Sequence, residues 1–569
     1  MILSAKSTSF ILLCCMLTAC GGGGIKIAPV TEDNSVDNST SGNSTSGNTV
    51  SNPCASYLNS AGQVIQGVFA NTDCTYAPSF VDAGNNLTVD MTIPALIDGG
   101  AHIFEGSLFV GETYDTDEDL ATAGIAEGGD GPVLTIEAGA TLAFTSNNDF
   151  MIINRGSQIF AVGSITEPIT ITSVSDVQSS RSSSPTLAFD AVQQWGGMVI
   201  NGFGITNKCE YTGSVANGDL TTTDCHVDAE GAAGLDESQY GGDNNEDSSG
   251  RMEFVRIKHT GAQVANGDEL NGISFGAVGS NTIVKNLEVY STFDDGIEMF
   301  GGAVNFTNFV ALYVRDDGID IDEGWSGTIT NALVIQAESD GNHCIEADGI
   351  GSFSSLTEAQ VEVVISQGIN SRPTINNLTC ISSANGSASA THDPGAGWRF
   401  REGIFATIND SLMISAFGDD DPDSTNYCLR IDNRSQLAAE EGDLSINSVI
   451  FSCVDRTKGN TLPNGTTVED FAENTGSQFA ITTSDDDPTA TSNTSLVLLE
   501  GSPSIYSVDF ATMVVDDLAP TASAPQEGGS YLGALSLGEE DWTAVWTYGI
   551  HSGLRATDSD GVDLPLWFE

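Results

Sequence analysis

The sequence predicts an all-β fold, a right-handed parallel β-helix solenoid with loop insertions and a C-terminal cap. Three observations predict it. The phrase Asp294-Asp295-Gly296-Ile297-Glu298 returns 22 residues later as Asp316-Asp317-Gly318-Ile319-Asp320, a period of about one solenoid coil. Asn286, Asn308, Asn331 and Asn377, each inside a β-rich run, are separated by 22, 23 and 46 residues, the last being twice 23. Hardly any stretch of the body carries the 3.6-residue period of a helix, and short runs of strand-forming residues alternate with Gly and Asn turns.

Residues 1–19 read as an export signal, with Lys6 at its positive start and an apolar core from Phe10 to Leu17 that is too short to span a bilayer. The tetrad Leu17-Thr18-Ala19-Cys20 resembles the bacterial lipobox. That resemblance implies cleavage before Cys20 and a lipid on its sulfur; an ordinary secretory signal with an incidental Cys is the competing reading. Gly21 after the Cys resembles an outer-membrane address in a Gram-negative bacterium, on its periplasmic or cell-surface face. Residues 20–52 carry this Cys and a Ser, Asn and Gly-rich tether reaching roughly 30 Å as a random coil.

Residues 53–130 are assigned to an N-terminal cap and first coils, and residues 131–500 to the β-helix itself. Strands starting at Met252, Val284, Phe306, Ile329 and Ile375 form one family, and the runs Ile408 to Ile414 and Ile446 to Phe451 continue it. A second family, Asn271-Gly272-Ile273, Asp295-Gly296-Ile297, Asp317-Gly318-Ile319, His343-Cys344-Ile345 and Glu402-Gly403-Ile404, keeps the same beat. Stacked Ile would build the core, the preceding Gly would turn corners and stacked Asn would form an amide ladder. The segment at about 205–250 reads as a lateral insertion, and 501–569, with Trp542, Trp546 and Trp567, as C-terminal coils and a cap on the last coil.

The eight body cysteines, Cys54, Cys74, Cys209, Cys225, Cys344, Cys380, Cys428 and Cys453, fit an oxidising compartment. Nearest-neighbour pairing would give four disulfides, although eight cysteines leave other connectivities open.

Leu134-Thr135-Ile136-Glu137-Ala138-Gly139-Ala140, Arg155-Gly156-Ser157, Pro168 to Ser173, Trp195-Gly196-Gly197, the Asp-Asp-Gly-Ile phrases and Asp541-Trp542-Thr543 resemble a family of exported bacterial β-helix lipoproteins, distantly like pectate-lyase-type β-helices. The resemblance covers most of residues 54–569 and implies the fold, but no defined activity; the transporter label some members carry has no support in this body.

Asp and Glu number 78 against 18 Lys and Arg, for a net charge of −60, which excludes nucleic acid as a partner. The same surface attracts divalent cations, or it adapts the protein to salty surroundings. Aligning the coils on Ile297, Ile319 and Ile345 puts Glu298, Asp320 and Glu346 in one column and Asp322 and Asp348 in another, with Phe300 in the first coil. Asp320, Asp322, Glu346 and Asp348 would then form a grid, roughly 7 Å along the strand and about 4.8 Å between coils. Asp294, Asp295, Asp316 and Asp317 flank it. Hard oxygen ligands at that density suit Ca²⁺; the competing reading is solvated carboxylates that cap turn amides.

An enzyme of the β-helix lyase or hydrolase type would need a base beside those carboxylates, and Arg256, Lys258, Arg315, Arg399 and Arg401 are the candidates. Arg256-Ile257-Lys258 precedes the Asp pair, whereas in the polygalacturonases it follows. Trp195, Trp325 and Trp398 are candidates for stacking on sugars or for the core. Asp243 to Asp247 reads as a second cation site or a solvated loop. The expectation is therefore a non-catalytic, lipid-anchored envelope protein binding Ca²⁺ and a glycan, a nutrient or an outer-membrane partner. The alternative is a Ca²⁺-dependent polysaccharide lyase or glycosidase.

Overall fold

The computed structural model describes residues 52–566 apart from 184–185, 231–237, 266–267, 339, 383–395, 416–426, 453–454, 460, 480–506, 510–530, 536–540 and 559. Cys20, the tether, Cys453 and Trp567 lie outside the described residues. A ten-stranded sheet runs through Leu108–Val110, Met151–Ile153, Met198–Asn201, Ile273–Gly276, Ile297–Phe300, Ile319–Asp322, His343–Asp348, Ala396–Arg401, Tyr427–Ile431 and Asp455–Gly459. Every one of its pairings is parallel. A second sheet takes the alternate strands, including Gly250–Thr260, Ile283–Thr292, Asn305–Val314, Thr328–Gln336 and Thr374–Ser382, again paired in parallel. Chain that alternates between two such sheets once per coil is a right-handed parallel β-helix.

Four long strands of the second sheet carry an Asn in the left-handed region: Asn286 at φ 51°, Asn308 at 61°, Asn331 at 58° and Asn377 at 56°. Asn tolerates this conformation because its short amide can bond locally. Here the amides bond to one another. Asn308 Nδ2 donates to Asn286 Oδ1 at 2.9 Å, and Asn331 Nδ2 donates to Asn308 Oδ1 at 3.0 Å. The amide ladder is thus present, and it marks the corner.

Of the glycines before Ile, Gly403 has the positive φ of a corner, at 79°, whereas at Gly272, Gly296 and Gly318 that role falls to the asparagines. Gly296 and Gly318 do not have positive φ; they are required by close stacking. A Cβ at Gly296 would stand 2.5 Å from the Gly318 carbonyl oxygen, and one at Gly318 would stand 2.4 Å from Val334 Cγ1. Ile273, Ile297, Ile319 and Ile345 stack in register behind them, with no exposed surface. The next coil places Trp398, not Ile404, opposite Ile345. Trp195, Trp325 and Trp398 are all fully buried, so none stacks on a ligand.

Three disulfides match the nearest-neighbour pairs: Cys54–Cys74, Cys209–Cys225 and Cys344–Cys380. Cys428 is disulfide-bonded as well. The N-terminal cap consists of antiparallel hairpins, Ser56–Leu58 with Val64–Gln66 and Val68–Ala70 with Asp73–Tyr76, before Cys74 pairs in parallel with His102. Among the described residues, helices occur in excursions between coils. Glu358–Gln367 is one, begun by a Thr357 and Gln360 capping box that the absence of periodicity concealed. Among the described residues no helix is long and apolar enough to cross a membrane.

The C-terminal segment differs from the expected cap on the last coil. Its described residues lie along the flank of the middle coils, where Leu532, Ala534, Leu535 and Ile550 bury against Val310, Leu312, Leu333 and Ile335. These are alternate residues of the second sheet's strands whose side chains point outward, so without this cover an apolar face would meet water.

Candidate functional site

Outward side chains of the ten-stranded sheet form columns. Ser274, Glu298, Asp320 and Glu346 pair in one of them. Phe300 pairs with Asp322 in the next, and Asp348 with Arg401. The column Glu298, Asp320 and Glu346 is therefore in the register that aligning Ile297, Ile319 and Ile345 gives. Of the five candidate bases Arg399 and Arg401 stand beside it, and the first column continues through the later coils as Arg399, Arg430 and Lys458. Arg399 Nη1 donates to Glu346 Oε1 at 3.0 Å, and Arg401 Nη2 donates to Glu346 Oε2 at 3.0 Å and Asp348 Oδ2 at 2.8 Å. Burial works against the Arg401 charge, but the bond to Asp348 and the field of Glu346 outweigh it and raise its pKa. Half of the expected grid is thus neutralised within the protein.

A further column runs along the turn before the sheet. Asp295 N–H donates to Asn271 Oδ1 at 3.2 Å, and Asp317 N–H donates to Asp295 Oδ1 at 2.9 Å. His343 closes the series, its Nδ1 3.1 Å from Asp317 Oδ1 and its Nε2 2.8 Å from the Tyr427 hydroxyl. One oxygen of Asp295 and one of Asp317 therefore cap the backbone of the next coil, as the competing reading of these residues expected. Burial drops the His343 pKa to about 4, so the ring is neutral at pH 7.

Carboxylate oxygens converge here, although Glu298 Oε2 also accepts from Asn271 Nδ2 at 2.5 Å. Asp294, Asp295 and Asp316 each offer an atom within 4.8 Å of the others, and so do Asp295, Glu298 and Asp320. Asp295 belongs to both groups. Asp317, His343 and Glu346 make a third group, already engaged by Tyr427 and Arg399. Among the described residues Asp295, Glu298 and Asp320 form no ion pair with Lys, Arg or His. Burial first, then the fields of Asp294 and Asp320, push the Asp295 pKa well up. Glu298 is raised by burial, Glu230 and Asp320, and Asp320 by burial, Glu346 and Asp317. Burial, Glu323 and Asp348 do the same to Asp322. Charge in this patch has to be met by protons or by a cation.

The insertion builds the wall of the patch. Cys209–Cys225 ties its base, and Tyr240 packs beside Phe300 on the outer face of the sheet. Glu323 receives the Tyr240 hydroxyl at 2.7 Å and Thr206 Oγ1 at 2.9 Å, with Lys208 Nζ 3.3 Å away, so it is a structural anchor. In the loop Asp243 to Asp247, Asp243 and Glu246 are exposed, as the solvated reading expected, whereas Asn245 and Asp247 are engaged with backbone. Asp247 Oδ1 accepts from Gly128 N–H at 2.7 Å, its Oδ2 from Phe203 N–H at 3.2 Å, and Asn245 Oδ1 from Ile205 N–H at 2.7 Å. The segment clasps the insertion to the body.

The other candidate bases are elsewhere. Lys258 pairs with Asp176 at 2.8 Å, Arg256 Nε donates to the Trp546 carbonyl, and Arg315 Nη2 donates to the Asp190 carbonyl at 2.8 Å. Only Arg399 and Arg401 reach the patch, and both are engaged with its carboxylates.

Among known proteins, the model of a family described as "Pectate-lyase like beta helix domain" matches residues 112–494, more than half of the chain. No curated protein matches the chain. A solved structure, an exopolygalacturonase of family 28 from Yersinia enterocolitica, is similar at 10% identity over 63% of this chain and 77% of its own, with a TM-score of 0.14, too low to say anything of activity.

Proposed function

The chain belongs to the pectate-lyase-like β-helix domain family, and we propose that it is a lipid-anchored envelope protein that binds Ca²⁺ on the outer face of its ten-stranded sheet and, through that face, a glycan. A nutrient complex or an outer-membrane protein is the other kind of partner such a face can take. The observation that carries this reading is the pair of carboxylate triples sharing Asp295. Their donors are all oxygen, and among the described residues Asp295, Glu298 and Asp320 have no basic partner, conditions that suit Ca²⁺ better than a transition metal. Sugar hydroxyls can complete the coordination shell of an ion held on one side by protein. At a net charge of −60, a neutral glycan approaches this surface more readily than a polyanion.

A lyase or glycosidase is the second reading. It is favoured by the buried carboxylates with raised pKa, since a carboxyl that keeps its proton can serve as a general acid. Against a lyase, Arg399 is engaged in an ion pair with Glu346 and Arg401 in ion pairs with Glu346 and Asp348, so neither is free to take a proton.

Calorimetric titration with Ca²⁺ tests the first reading. Saturable binding that is lost in Asp295→Asn and weakened in Asp320→Ala plus Asp322→Ala supports it; no binding, or binding that survives all three changes, overturns it. Release of reducing ends or unsaturated products from a glycan panel, abolished by Glu298→Gln, would replace it with the second reading.

A further inference from the structure

A separate cavity of about 580 Å³ opens between the helix Val174–Ser180 with the loop after it and the C-terminal segment around Tyr548 and Leu564. It shares no lining residue with the acidic patch. Its size lies in the range of small-molecule sites, roughly 300–1,000 Å³.

The floor is polar but balanced in charge. Asp176 Oδ2 receives Lys258 Nζ and Thr172 Oγ1, both at 2.8 Å, and its Oδ1 stands 3.4 Å from His259 Nε2. His259 Nδ1, 2.6 Å from the Ala191 carbonyl, can only donate there. The Asp558 carboxylate likewise accepts two backbone N–H groups, from Asp560 and Val562, at 2.9 Å each. Arg555, of opposite sign to Asp176 and Asp558, also lines the cavity, its Nε donating to the Ile550 carbonyl at 2.7 Å and its Nη1 to the Leu564 carbonyl at 3.4 Å, so no single sign of charge dominates the lining.

Two hydroxyls, in contrast, have hydrogen-bonding capacity to spare. Ser179 Oγ accepts from Thr186 N–H and Leu187 N–H at 3.1 Å each, and its proton has no acceptor among the described residues. The Tyr548 hydroxyl makes no hydrogen bond to any described residue, although Lys258 Nζ sits 3.8 Å from its ring centroid and Tyr290 meets the ring edge-on at 4.8 Å. Leu187, Phe189 and Leu564 supply apolar wall beside these hydroxyls. Hydroxyl donors next to apolar and aromatic surface match a ring whose edge carries hydroxyls and whose face carries C–H groups.

We infer that this cavity binds a neutral polyhydroxylated ring of one or two sugar units, at a site independent of the acidic patch. Tyr548 and Ser179 meet its hydroxyls, and the apolar wall covers its face.

The test titrates the full chain with glucose, galactose, cellobiose and galacturonate by saturation-transfer NMR and calorimetry, against Tyr548→Phe, Ala188→Trp and Ala556→Trp. The Phe variant removes one hydroxyl, and the two Trp variants fill the cavity from opposite walls. Binding of a neutral sugar, weakened about 3- to 10-fold in Tyr548→Phe and abolished in whichever Trp variants keep the wild-type unfolding midpoint, is the expected result. No binding of any probe, binding unchanged in the Trp variants, or binding of galacturonate alone would overturn the inference. The Ca²⁺ titration of the same samples reads the acidic patch separately, so failure of one proposal leaves the other measurable.

Discussion

Arg401 reaches back one coil to Asp348 and Glu346, placing Nη2 2.8 Å from Asp348 Oδ2 and 3.0 Å from Glu346 Oε2. This contact divides the outer face of the ten-stranded sheet. On one side of it the carboxylates of Glu346 and Asp348 are neutralised by the protein; on the other, Asp295, Glu298 and Asp320 face one another.

Removing one partner from such a cluster leaves charge stranded, which costs about 3–5 kcal/mol for a fully buried pair. The Arg401 side chain is 24% exposed, so a smaller loss of about 2–3 kcal/mol is expected for Arg401→Gln. Urea unfolding should show it, and Asp348→Asn in the same chain should recover part of it. A double variant no more stable than the single one would mean that the pair contributes through packing, not charge.

Protons and Ca²⁺ should compete for the other half. Asp295, Glu298, Asp320 and Asp322 have pKa values raised above the ordinary carboxylate range, chiefly by burial. The folded state therefore holds their protons more tightly than the unfolded chain does. The resulting stability is complete below the ordinary carboxylate pKa of about 4 and is lost as pH rises through the raised values. In chelator the unfolding midpoint should fall as pH rises above the ordinary carboxylate range, less so in Glu298→Gln plus Asp320→Asn. Saturating Ca²⁺ should reverse the fall, contributing about 2.7 kcal/mol at a hundredfold excess over Kd. Parallel pH profiles for wild type and variant, with and without Ca²⁺, would argue against metal at this patch.

The period decides how much of the site was legible. Glu298, Asp320 and Glu346 could be aligned because their coils are uninterrupted at 22 and 26 residues, and the register pairs them as expected. Arg399 could not be, because 53 residues separate it from Glu346, and the excursion holding helix Glu358–Gln367 breaks the beat. The Gly-Ile phrase at Gly403-Ile404 then offered a false register, where Trp398 takes the core position. The C-terminal flank was illegible for a different reason. A segment docked across coils follows no period, and its contacts, such as Tyr548 to Glu288, lie 260 residues apart.

That contact is a latch with its own pH dependence. Glu288 is fully buried, and both its oxygens receive the Tyr548 N–H, at 3.0 and 2.8 Å. Burial pushes its pKa from 4.5 to about 7 against the pull of Arg256. A raised carboxyl pKa means that its stability is complete below about 4.5 and is lost as pH passes through about 7, a change of about 3 kcal/mol by linkage. Docking of the C-terminal segment should loosen between pH 5 and 8. Hydrogen exchange at the Tyr548 amide should accelerate over that interval beyond the intrinsic rate, and Glu288→Gln should flatten the extra dependence. An unaltered profile in the Gln variant would place the titration elsewhere.

The corner asparagines separate two effects that usually coincide. Asn308 sits at φ 61°, donates to Asn286 Oδ1 and accepts from Asn331 Nδ2. Asn308→Gly keeps the left-handed conformation and loses the two ladder bonds; Asn308→Ala loses the bonds and also sets a Cβ in the left-handed region, at a further cost of about 1–2 kcal/mol. In an ordinary strand Gly is the more damaging residue, through backbone entropy and lost packing. Here the order should invert, with Ala less stable than Gly by about 1 kcal/mol in urea unfolding. Equal losses would show that the amide ladder alone holds the corner, and a larger loss for Gly would show that the left-handed turn carries no strain for Ala.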